Sequence, residues 1–341
     1  MNHYKPRKKA VVLCVVLVLV LVAMIGGLRI LESTVFSSPE EETVATKTVS
    51  RDGMNYFPRQ DITVILVMGI DERGPVVSSQ SYRNYGESDA VVLMILDQKA
   101  ETYSLLCLNR DTMVDMPVLG IGGKRAGTFH GQLALSHTYG DGLETSCENT
   151  RRTVSDLLGG ITIDHYVALN MDGIGILNDA VGGVTVDVVD DFSLVDPSIT
   201  GHITLNGMQA LTYVQTRHDV GDQLNITRMG RHETYMKGLM TSMRQKLDSS
   251  DTFALSLYDK LDEYMVTDCS ANVISGLMER CIHYSLEEIV SPQGKNVLTE
   301  EYYEFYLDEA ALDELILRLF YAPKELLTAL RKFSRRAVLH L

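Results

Sequence analysis

The residues best suited to chemistry are two aspartates and an arginine at the ends of apolar runs. Asp71 and Asp89 flank two successive apolar runs, and Arg110 follows the next run along the chain. Carboxylates hold hard cations, and a guanidinium group donates two parallel hydrogen bonds to phosphate oxygens. Together these groups are what a bound pyrophosphate needs, so the sequence predicts a site for one.

Three more arginines extend this set. Arg217 directly follows a predicted helix, and Arg228 and Arg231 are three residues apart, so they share one face of the next helix. Near the start of that helix the dipole also favours a bound anion. The alternatives are a structural ion pair for Arg110 and a solvated basic face for Arg228 and Arg231.

Asp71 and Asp89 are also candidate ligands for a metal ion. Neighbouring strands would bring them together, and two carboxylates that close repel each other unless a cation or an arginine lies between them. Mg²⁺ fits because it commonly binds one or two carboxylates together with phosphate oxygens. The alternative is that both aspartates cap loops.

Other motifs are weaker. The glycine-rich stretch 120–125 resembles a phosphate loop but lacks a Ser or Thr after its lysine. His130 and His137 have no cysteine or carboxylate partner at zinc spacing. No Gly-x-Ser-x-Gly motif is present, which argues against a serine hydrolase.

The elements that must position these residues alternate between strands and helices. Continuous apolar runs predict strands that are covered on both faces, and strands mixed with helices indicate an α/β sandwich. The predicted strands are 63–70, 90–96, 103–108, 165–169, 184–189, 288–297 and 301–306, and the predicted helices are 144–158, 172–180, 206–214, 227–247, 309–320 and 323–336. The region 250–285 is predicted to be helix or loop.

The N-terminal pattern predicts a membrane anchor. Residues 10–28 are uncharged and almost wholly apolar, and they span about 28 Å as a helix, close to the hydrocarbon core of a bilayer. The basic residues of 1–9 favour a cytoplasmic tail, a transmembrane helix at 10–31, and the remainder outside the membrane. A cleaved signal peptide and a buried core helix are the alternatives.

An extracellular stem at 32–60, a catalytic domain at 61–322 and a basic C-terminal helix or tail at 323–341 are predicted to follow. The net charge is −14, and without the four basic residues of the N-terminal tail it is −18. So acidic a body is repelled by nucleic acid, which argues against nucleic-acid binding. The basic tail is interpreted as a solvated helix face, with contact to anionic lipid headgroups as the alternative.

Four cysteines, Cys107, Cys147, Cys269 and Cys281, lie in the predicted exported part, where thiols can oxidise. Four cysteines allow three pairings. We expect Cys107 to pair with Cys147 and Cys269 with Cys281, with buried free thiols as the alternative.

The order of the motifs resembles the LytR–CpsA–Psr family of bacterial cell-envelope proteins. The resemblance covers residues 61–237 and continues more faintly over 302–323. Its motifs are Gly-Ile-Asp-x-Arg at 69–73, Ser-Asp at 88–89, Arg-Asp-Thr at 110–112, the segments 157–167 and 179–184, the stretch 205–218, and Arg-x-x-Arg at 228–231.

The resemblance implies an α/β/α sandwich with a central mixed sheet and an apolar tunnel for a polyprenyl chain. It implies a phosphotransferase that takes a glycan from undecaprenyl pyrophosphate. The glycan would be attached to the 6-hydroxyl of N-acetylmuramic acid in peptidoglycan, forming a phosphodiester.

The family's site residues map onto this sequence by motif. The pyrophosphate-binding arginines are then Arg110, Arg217, Arg228 and Arg231, with Arg73 at the rim. The ligands for Mg²⁺ (or Mn²⁺) are Asp71 and Asp89. The catalytic residues are Asp89 and Arg110, with Asp89 as the expected proton acceptor.

Three departures from the family pattern affect expectations about the glycan and the rate. Asn109 stands where the family often has Pro, Gln215 stands where it commonly has Arg, and the segment 127–132 does not match. Two alternative functions stay open: a polyprenyl pyrophosphatase that uses water in the same site, and a non-catalytic protein that binds lipid-linked glycan.

Overall fold

The computed structural model describes residues 48–323 except 52, 82, 83, 85, 121, 122, 222–224, 282, 301 and the side chain of Cys281. The chain divides into two units, 1–47 and 48–341, and the first lies outside the described residues. The predicted cytoplasmic tail, transmembrane helix, first part of the stem and helix beyond 323 therefore lie outside them too. No helix in the described part is long and apolar enough to cross a membrane.

Fifteen strands and seven α-helices are described. The strands are β1 (Val49–Arg51), β2 (Met54–Pro58), β3 (Ile62–Ile70), β4 (Ser88–Asp97), β5 (Thr102–Leu108), β6 (Met113–Leu119), β7 (Arg125–Gln132), β8 (His165–Asn170), β9 (Val184–Val188), β10 (Gly201–Leu205), β11 (Met265–Thr267), β12 (Ser285–Val290), β13 (Gly294–Leu298), β14 (Tyr303–Leu307) and β15 (Tyr321–Pro323). The helices are α1 (Glu144–Leu157), α2 (Met171–Ala180), α3 (Gly207–Gln215), α4 (Asn225–Ser249), α5 (Phe253–Leu261), α6 (Ala271–Cys281) and α7 (Glu309–Phe320).

The central sheet has six strands in the order β11-β8-β3-β4-β5-β12. The pairs β3–β4, β4–β5 and β8–β11 are antiparallel, whereas β8 is parallel to β3 and β12 is parallel to β5. The predicted mixed sheet is thus confirmed. The single strand predicted at 288–297 is instead the two strands β12 and β13, which Pro292 separates; proline cannot donate a ladder hydrogen bond.

Both faces of the sheet are covered, which explains why its strands are continuously apolar. On one face, Leu66 and Leu93 belong to a core that includes Val154 of α1 and Leu315 of α7. On the other face, a second core includes Ile65, Val92 and Leu105 with Leu277 of α6, and Met236 and Met240 of α4 pack against it. The predicted helix–sheet–helix layering follows from these two cores.

Helix ends follow local chemistry. Gly159 and Gly160 end α1 with positive φ angles of 76° and 82°, a conformation that favours glycine. The sequence predicts that Asn206 caps the helix that runs to 214, and Asn206 does cap α3 in a reciprocal capping box with Gln209. The sequence also predicts that Thr145 or Ser146 caps the helix at 144–158. This prediction is wrong, because the cap position of α1 is Leu143 and makes no side-chain bond.

Two boundary predictions need correction. Residues of the predicted stem form β1 and β2, which pair with each other and with β15 in a three-stranded sheet. Pro323 lies in β15 opposite Tyr56 rather than in the first turn of a helix. The pairing buries Tyr321 and Ala322, so the chain continues from α7 as a strand.

The predicted disulfides are also wrong. Cys107 and Cys147 are buried free thiols in the cores on opposite faces of the sheet, so the sheet lies between them. Cys269 is also a free thiol, which leaves the predicted pairing with Cys281 unmade. Burial raises the pKa of Cys107 to about 12 and that of Cys269 to about 11, so both thiols are protonated at neutral pH.

Candidate active site

Asp71 and Asp89 lie at the same end of two neighbouring strands, as predicted. The backbone N–H of Asp71 donates to the carbonyl oxygen of Glu87 at 2.9 Å. Asp89 lies in a β-bulge, because Gly69 pairs with Ala90 whereas the next residue pairs with Ser88. Bulges often re-aim a side chain beside a functional site. The Asp71 residue is exposed, whereas the side chain of Asp89 is only 14% exposed.

Arg110 lies directly after β5 and contacts three carboxylates. It forms ion pairs with Asp89 and Glu87, and its Nε lies 3.4 Å from Asp111 Oδ1. The turn that presents it is held by Asn109, whose Oδ1 accepts from the backbone N–H of Asp111 at 3.0 Å. The side chain of Asn109 thus organises the turn where the family often has proline.

Arg228 lies in the first turn of α4 and is almost completely buried. Its Nη1 donates to Asp89 Oδ2 at 2.9 Å, and its Nη2 donates to Asn225 Oδ1 at 2.8 Å. Asn225 in turn donates to Asn109 Oδ1 at 2.7 Å, which ties α4 to the turn that carries Arg110. Burial, followed by repulsion from Arg110, lowers the pKa of Arg228 to about 10, so the guanidinium is charged at neutral pH.

Arg217 follows α3 and lies beside the same cluster. Its positive charge lowers the pKa of Arg228 and opposes the rise in the pKa of Asp111 that burial causes. Its side chain makes no hydrogen bond or ion pair with the described residues. Arg217 is therefore the predicted phosphate ligand that has no protein partner to displace within the described part of the chain.

Arg231 is placed differently from Arg228. Its guanidinium is bonded to protein on all three nitrogens: Nε to the Tyr213 carbonyl at 3.0 Å, Nη1 to Asp190 at 2.6 Å, and Nη2 to the Thr216 carbonyl. It also lies over the Phe192 ring. Only 3% of its surface is exposed. The structure thus uses Arg231 to hold the segment that leads into Arg217.

Arg73 is largely exposed. Its Nη1 donates to Asp172 at 2.8 Å and its Nη2 to Gln215 Oε1 at 3.1 Å. The second oxygen of Asp172 accepts from the backbone N–H of Gly74 at 2.8 Å, which fixes the loop that carries Arg73. Gln215, the departure from the family pattern, therefore holds an arginine in place.

The carboxylates suit a hard divalent cation. Asp71 makes no side-chain hydrogen bond or ion pair within the described residues, so its oxygens are available. Asp89 Oδ1 is buried and accepts no well-directed hydrogen bond, although Arg110 contacts it. Oxygen donors of this kind fit Mg²⁺ or Mn²⁺ when phosphate oxygens complete the coordination.

An apolar cavity of about 240 Å³ lies on the face of the sheet that α4 covers. The sheet contributes Val67 and Met94 to its wall, and the helices contribute Met240, Leu257 and Leu277. From Arg228 to Met240 the helix rises about 18 Å. The same helix therefore leads from the arginine cluster to an apolar space.

Several residues of the site had no signal in the sequence. Glu87, Asn225 and Asp190 are single polar residues whose partners lie far away in the chain. A single polar residue that contacts its partner only in the folded protein produces no spacing pattern in the sequence.

The chain has relatives among known proteins. A model of the LytR_cpsA_psr family matches residues 31–319. The chain is 25% identical over 292 residues to the polyisoprenyl-teichoic acid–peptidoglycan teichoic acid transferase TagU of Oceanobacillus iheyensis, covering 81% of this chain and 82% of the relative. It is 28% identical over 271 residues to TagU of Halalkalibacterium halodurans, covering 77% of this chain and 80% of the relative.

Solved structures share the fold. The protein gbs0355 of Streptococcus agalactiae superposes with a TM-score of 0.62 at 21% identity, covering 76% of this chain and 86% of that one. TagV of B. subtilis superposes with a TM-score of 0.59 at 24% identity, covering 76% of this chain and 96% of that one. The predicted family and the predicted phosphotransferase class are thus confirmed: the chain belongs to the LytR_cpsA_psr family.

Proposed function

We propose that this enzyme transfers a glycopolymer from an undecaprenyl-pyrophosphate carrier to peptidoglycan. The product is a phosphodiester to the 6-hydroxyl of N-acetylmuramic acid. One observation carries the proposal: Arg110 and Arg228 converge on Asp89 beside Arg217, and α4 leads from this cluster to the apolar cavity. A charged cluster joined to an apolar space matches a pyrophosphate joined to a polyprenyl chain.

The arginines bind the pyrophosphate by exchanging partners. Without substrate, the carboxylates of Asp89 and Glu87 accept the hydrogen bonds of Arg110 that phosphate oxygens would take. Arg217 contributes a positive charge with no described protein partner, and Arg73 binds at the rim. Arg231 acts as a positioning residue, because it bonds the carbonyl of the residue before Arg217.

Asp71 and Asp89 are the residues that would hold Mg²⁺ or Mn²⁺. When bound, the ion offsets the negative charge that builds on the leaving phosphate. The protein's own contribution is to keep both carboxylates at one end of β3 and β4. A bulge in the pairing of β3 and β4 lies at Asp89.

The reaction needs one proton acceptor. The muramic 6-hydroxyl attacks the phosphorus next to the sugar, and the bond from that phosphorus to the bridging oxygen breaks. Undecaprenyl phosphate leaves with the bridging oxygen, and the hydroxyl proton passes to a carboxylate. We assign this proton to Asp89, with Glu87 as the second carboxylate of the cluster; Glu87→Gln and Asp89→Asn separate the two.

The cellular placement is part of the proposal. Residues 10–31 anchor the chain with its N-terminus in the cytoplasm, and the catalytic domain meets peptidoglycan outside the membrane. The apolar run at 10–28 and its basic flank support this topology. Protease added to intact cells without their wall should degrade the catalytic domain and spare an N-terminal tag.

The identity of the acceptor distinguishes the three candidate functions. The full chain is incubated with a polyprenyl-pyrophosphate-linked sugar, peptidoglycan oligomers and Mg²⁺ in ¹⁸O-labelled water, and the products are weighed by mass spectrometry. A transferase gives an unlabelled muramic phosphodiester. A pyrophosphatase gives sugar phosphate with one ¹⁸O, and a binding protein gives neither product.

Two variants assign the activity to the site. Arg110→Ala should lose both product formation and tight donor binding. Arg125→Ala is the matched control, because Arg125 is exposed on β7 and, within the described residues, its side chain bonds Gly127 and Thr128 of the same strand. Unchanged product in Arg110→Ala would contradict the assignment.

A further inference from the structure

A second cluster of ligating side chains lies away from the arginines. His165 begins β8, and Asn170 ends it. Asn170 pairs with Ile70, the residue before Asp71, so the arginine cluster lies at the other end of this strand. His165 and Asn170 are five residue steps apart along the strand, a distance of about 17 Å. The cluster consists of His165, Asp268 and Cys269.

The register of the sheet brings His165 and Cys269 together. β11 is antiparallel to β8, with Thr267 opposite Val167. Continuing this register past the end of β11 places Asp268 opposite Tyr166 and Cys269 opposite His165. Residues directly opposite each other have Cβ atoms about 4.5–5.5 Å apart. The register thus places Cys269 beside His165, and Asp268 directly precedes Cys269 in the chain.

The separations match those between ligands of one tetrahedral zinc ion. His165 Nδ1 lies 3.4 Å from Asp268 Oδ1, and Cys269 Sγ lies 3.7 Å from the same oxygen. Ordinary zinc–ligand distances at a tetrahedral angle give about 3.3 Å between nitrogen and oxygen and about 3.6 Å between oxygen and sulfur. All three ligand atoms lie within 4.8 Å of one another.

One nitrogen of the His165 imidazole is buried without a hydrogen bond to the described residues. His165 Nδ1 is buried and makes no hydrogen bond. Buried polar atoms are nearly always bonded, so an exception calls for an explanation. Asp268 Oδ1 already accepts from the backbone N–H of Tyr166 at 3.0 Å, which orients this oxygen between the other two ligands.

We propose that His165 Nδ1, Asp268 Oδ1 and Cys269 Sγ bind one Zn²⁺ ion, with the fourth position taken by water. Imidazole, carboxylate and thiolate together suit zinc, whereas Mg²⁺ and Ca²⁺ prefer oxygen ligands alone. Binding forms a zinc–sulfur bond and releases the thiol proton to solvent. The site is separate from the carboxylates that would hold the catalytic metal.

The ion would stiffen one wall of the apolar cavity. Cys269 lines that cavity together with Met265 and Leu277. A metal bond from Cys269 to His165 would join the segment before α6 to the start of β8. This edge of the sheet otherwise depends on the three-residue strand β11.

Co²⁺ is a suitable probe because cobalt thiolates absorb in the near ultraviolet. The full chain is stripped with a chelator and titrated with Co²⁺ and then with Zn²⁺. We expect one equivalent of Co²⁺, a thiolate-to-cobalt band, and its displacement by one equivalent of Zn²⁺. Cys269→Ser should abolish the band, and His165→Gln should weaken binding at least tenfold. Cys107→Ser is the matched control, since Cys107 is a buried thiol outside the cluster.

Wild-type protein alone makes the proposal falsifiable even if a variant does not fold. Zinc should raise the melting temperature of the wild type by several degrees, and excess chelator should reverse the rise. A wild type without a thiolate band would overturn the proposal, as would a band that survives in folded Cys269→Ser. Zinc binding without the band would mean that surface histidines bind the ion.

Discussion

Arg228 and Arg231 provide a matched test, because they lie one helical turn apart yet have different partners. Arg228 meets Asp89 and Asn225, whereas Arg231 meets two backbone carbonyls and Asp190. Replacing each with lysine keeps the positive charge but removes the planar fork. The account predicts a catalytic defect in Arg228→Lys and a stability defect in Arg231→Lys.

The magnitudes follow from the hydrogen bonds that are lost. In Arg228→Lys the ammonium group can still pair with Asp89, but Asn225 Oδ1 loses its partner, a cost of about 1–3 kcal/mol. The transition-state contacts to two phosphate oxygens are reduced, which should lower the rate about 10²-fold. In Arg231→Lys two buried carbonyls lose their donors, which should cost about 2–5 kcal/mol of unfolding free energy.

Two measurements on the full chain separate these effects. Urea unfolding gives the stability of each variant, and single-turnover transfer at saturating donor gives the rate of the folded fraction. We expect Arg231→Lys to keep its rate within about tenfold of the wild type. If folded Arg231→Lys lost as much rate as Arg228→Lys, Arg231 would contact substrate and the positioning role would be refuted. If Arg228→Lys kept its rate, the cluster would not be the phosphate site.

Three further predictions test other parts of the account. Asp71→Asn should leave stability unchanged and raise the Mg²⁺ concentration for half-maximal rate at least tenfold; an unaltered Mg²⁺ dependence would remove Asp71 from the metal site. Val67→Phe narrows the cavity, so it should weaken the binding of long-chain donors at least tenfold and leave the binding of short-chain donors unchanged. Exposed Val77→Phe is the control, and equal weakening of the binding of both donors would contradict this prediction. Burial, with repulsion from Arg228, lowers the pKa of His232 from 6.5 to about 4. The free energy of unfolding should therefore be highest above pH 6.5 and fall as the pH drops toward 4, by at most about 3 kcal/mol, because only the unfolded chain binds the proton in this range. His232→Gln can still donate to the Val214 carbonyl, and its unfolding free energy should lose this acid-side slope; an unchanged slope would refute the assignment.

The strands of the central sheet could be predicted because local pattern and tertiary environment agree. The runs that became β3, β4 and β5 are apolar on both faces, and both faces are buried. The C-terminal end of α1 and the start of α3 were predictable from glycines and Asn206, because their chemistry acts within one turn. Polar residues placed at strand ends by the sequence accordingly meet at one end of the sheet.

The failures have a common cause, since each depended on partners far away in the chain. β11 has only three residues and is a strand because β8 lies beside it. Pro323 is in a strand because β2 is available to pair. The disulfide between Cys107 and Cys147 was predicted because both lie in the exported part of the chain. However, α1, which carries Cys147, packs on the face of the sheet opposite Cys107. No local pattern indicates which face of a sheet a helix will cover.

The role of Arg231 shows the same limit within the site. Its spacing from Arg228 correctly placed both on one helix, but spacing alone does not say which side chain the neighbouring loop engages. The carbonyls of Tyr213 and Thr216 reach Arg231 because α3 ends beside α4. A motif therefore located the helix face, and the tertiary contacts show which arginine bonds the carbonyls of Tyr213 and Thr216.

The most direct test of the central claim is a transfer reaction with the full chain. Wild-type protein and Arg110→Gln are incubated with a polyprenyl-pyrophosphate-linked glycan, peptidoglycan oligomers and Mg²⁺, and muramic acid phosphates are quantified by mass spectrometry after muramidase digestion. The account predicts a muramic 6-phosphodiester in the wild type and at least a 10²-fold loss in Arg110→Gln. Equal product in both proteins, or no muramic phosphodiester from a wild type that binds the donor, would contradict it.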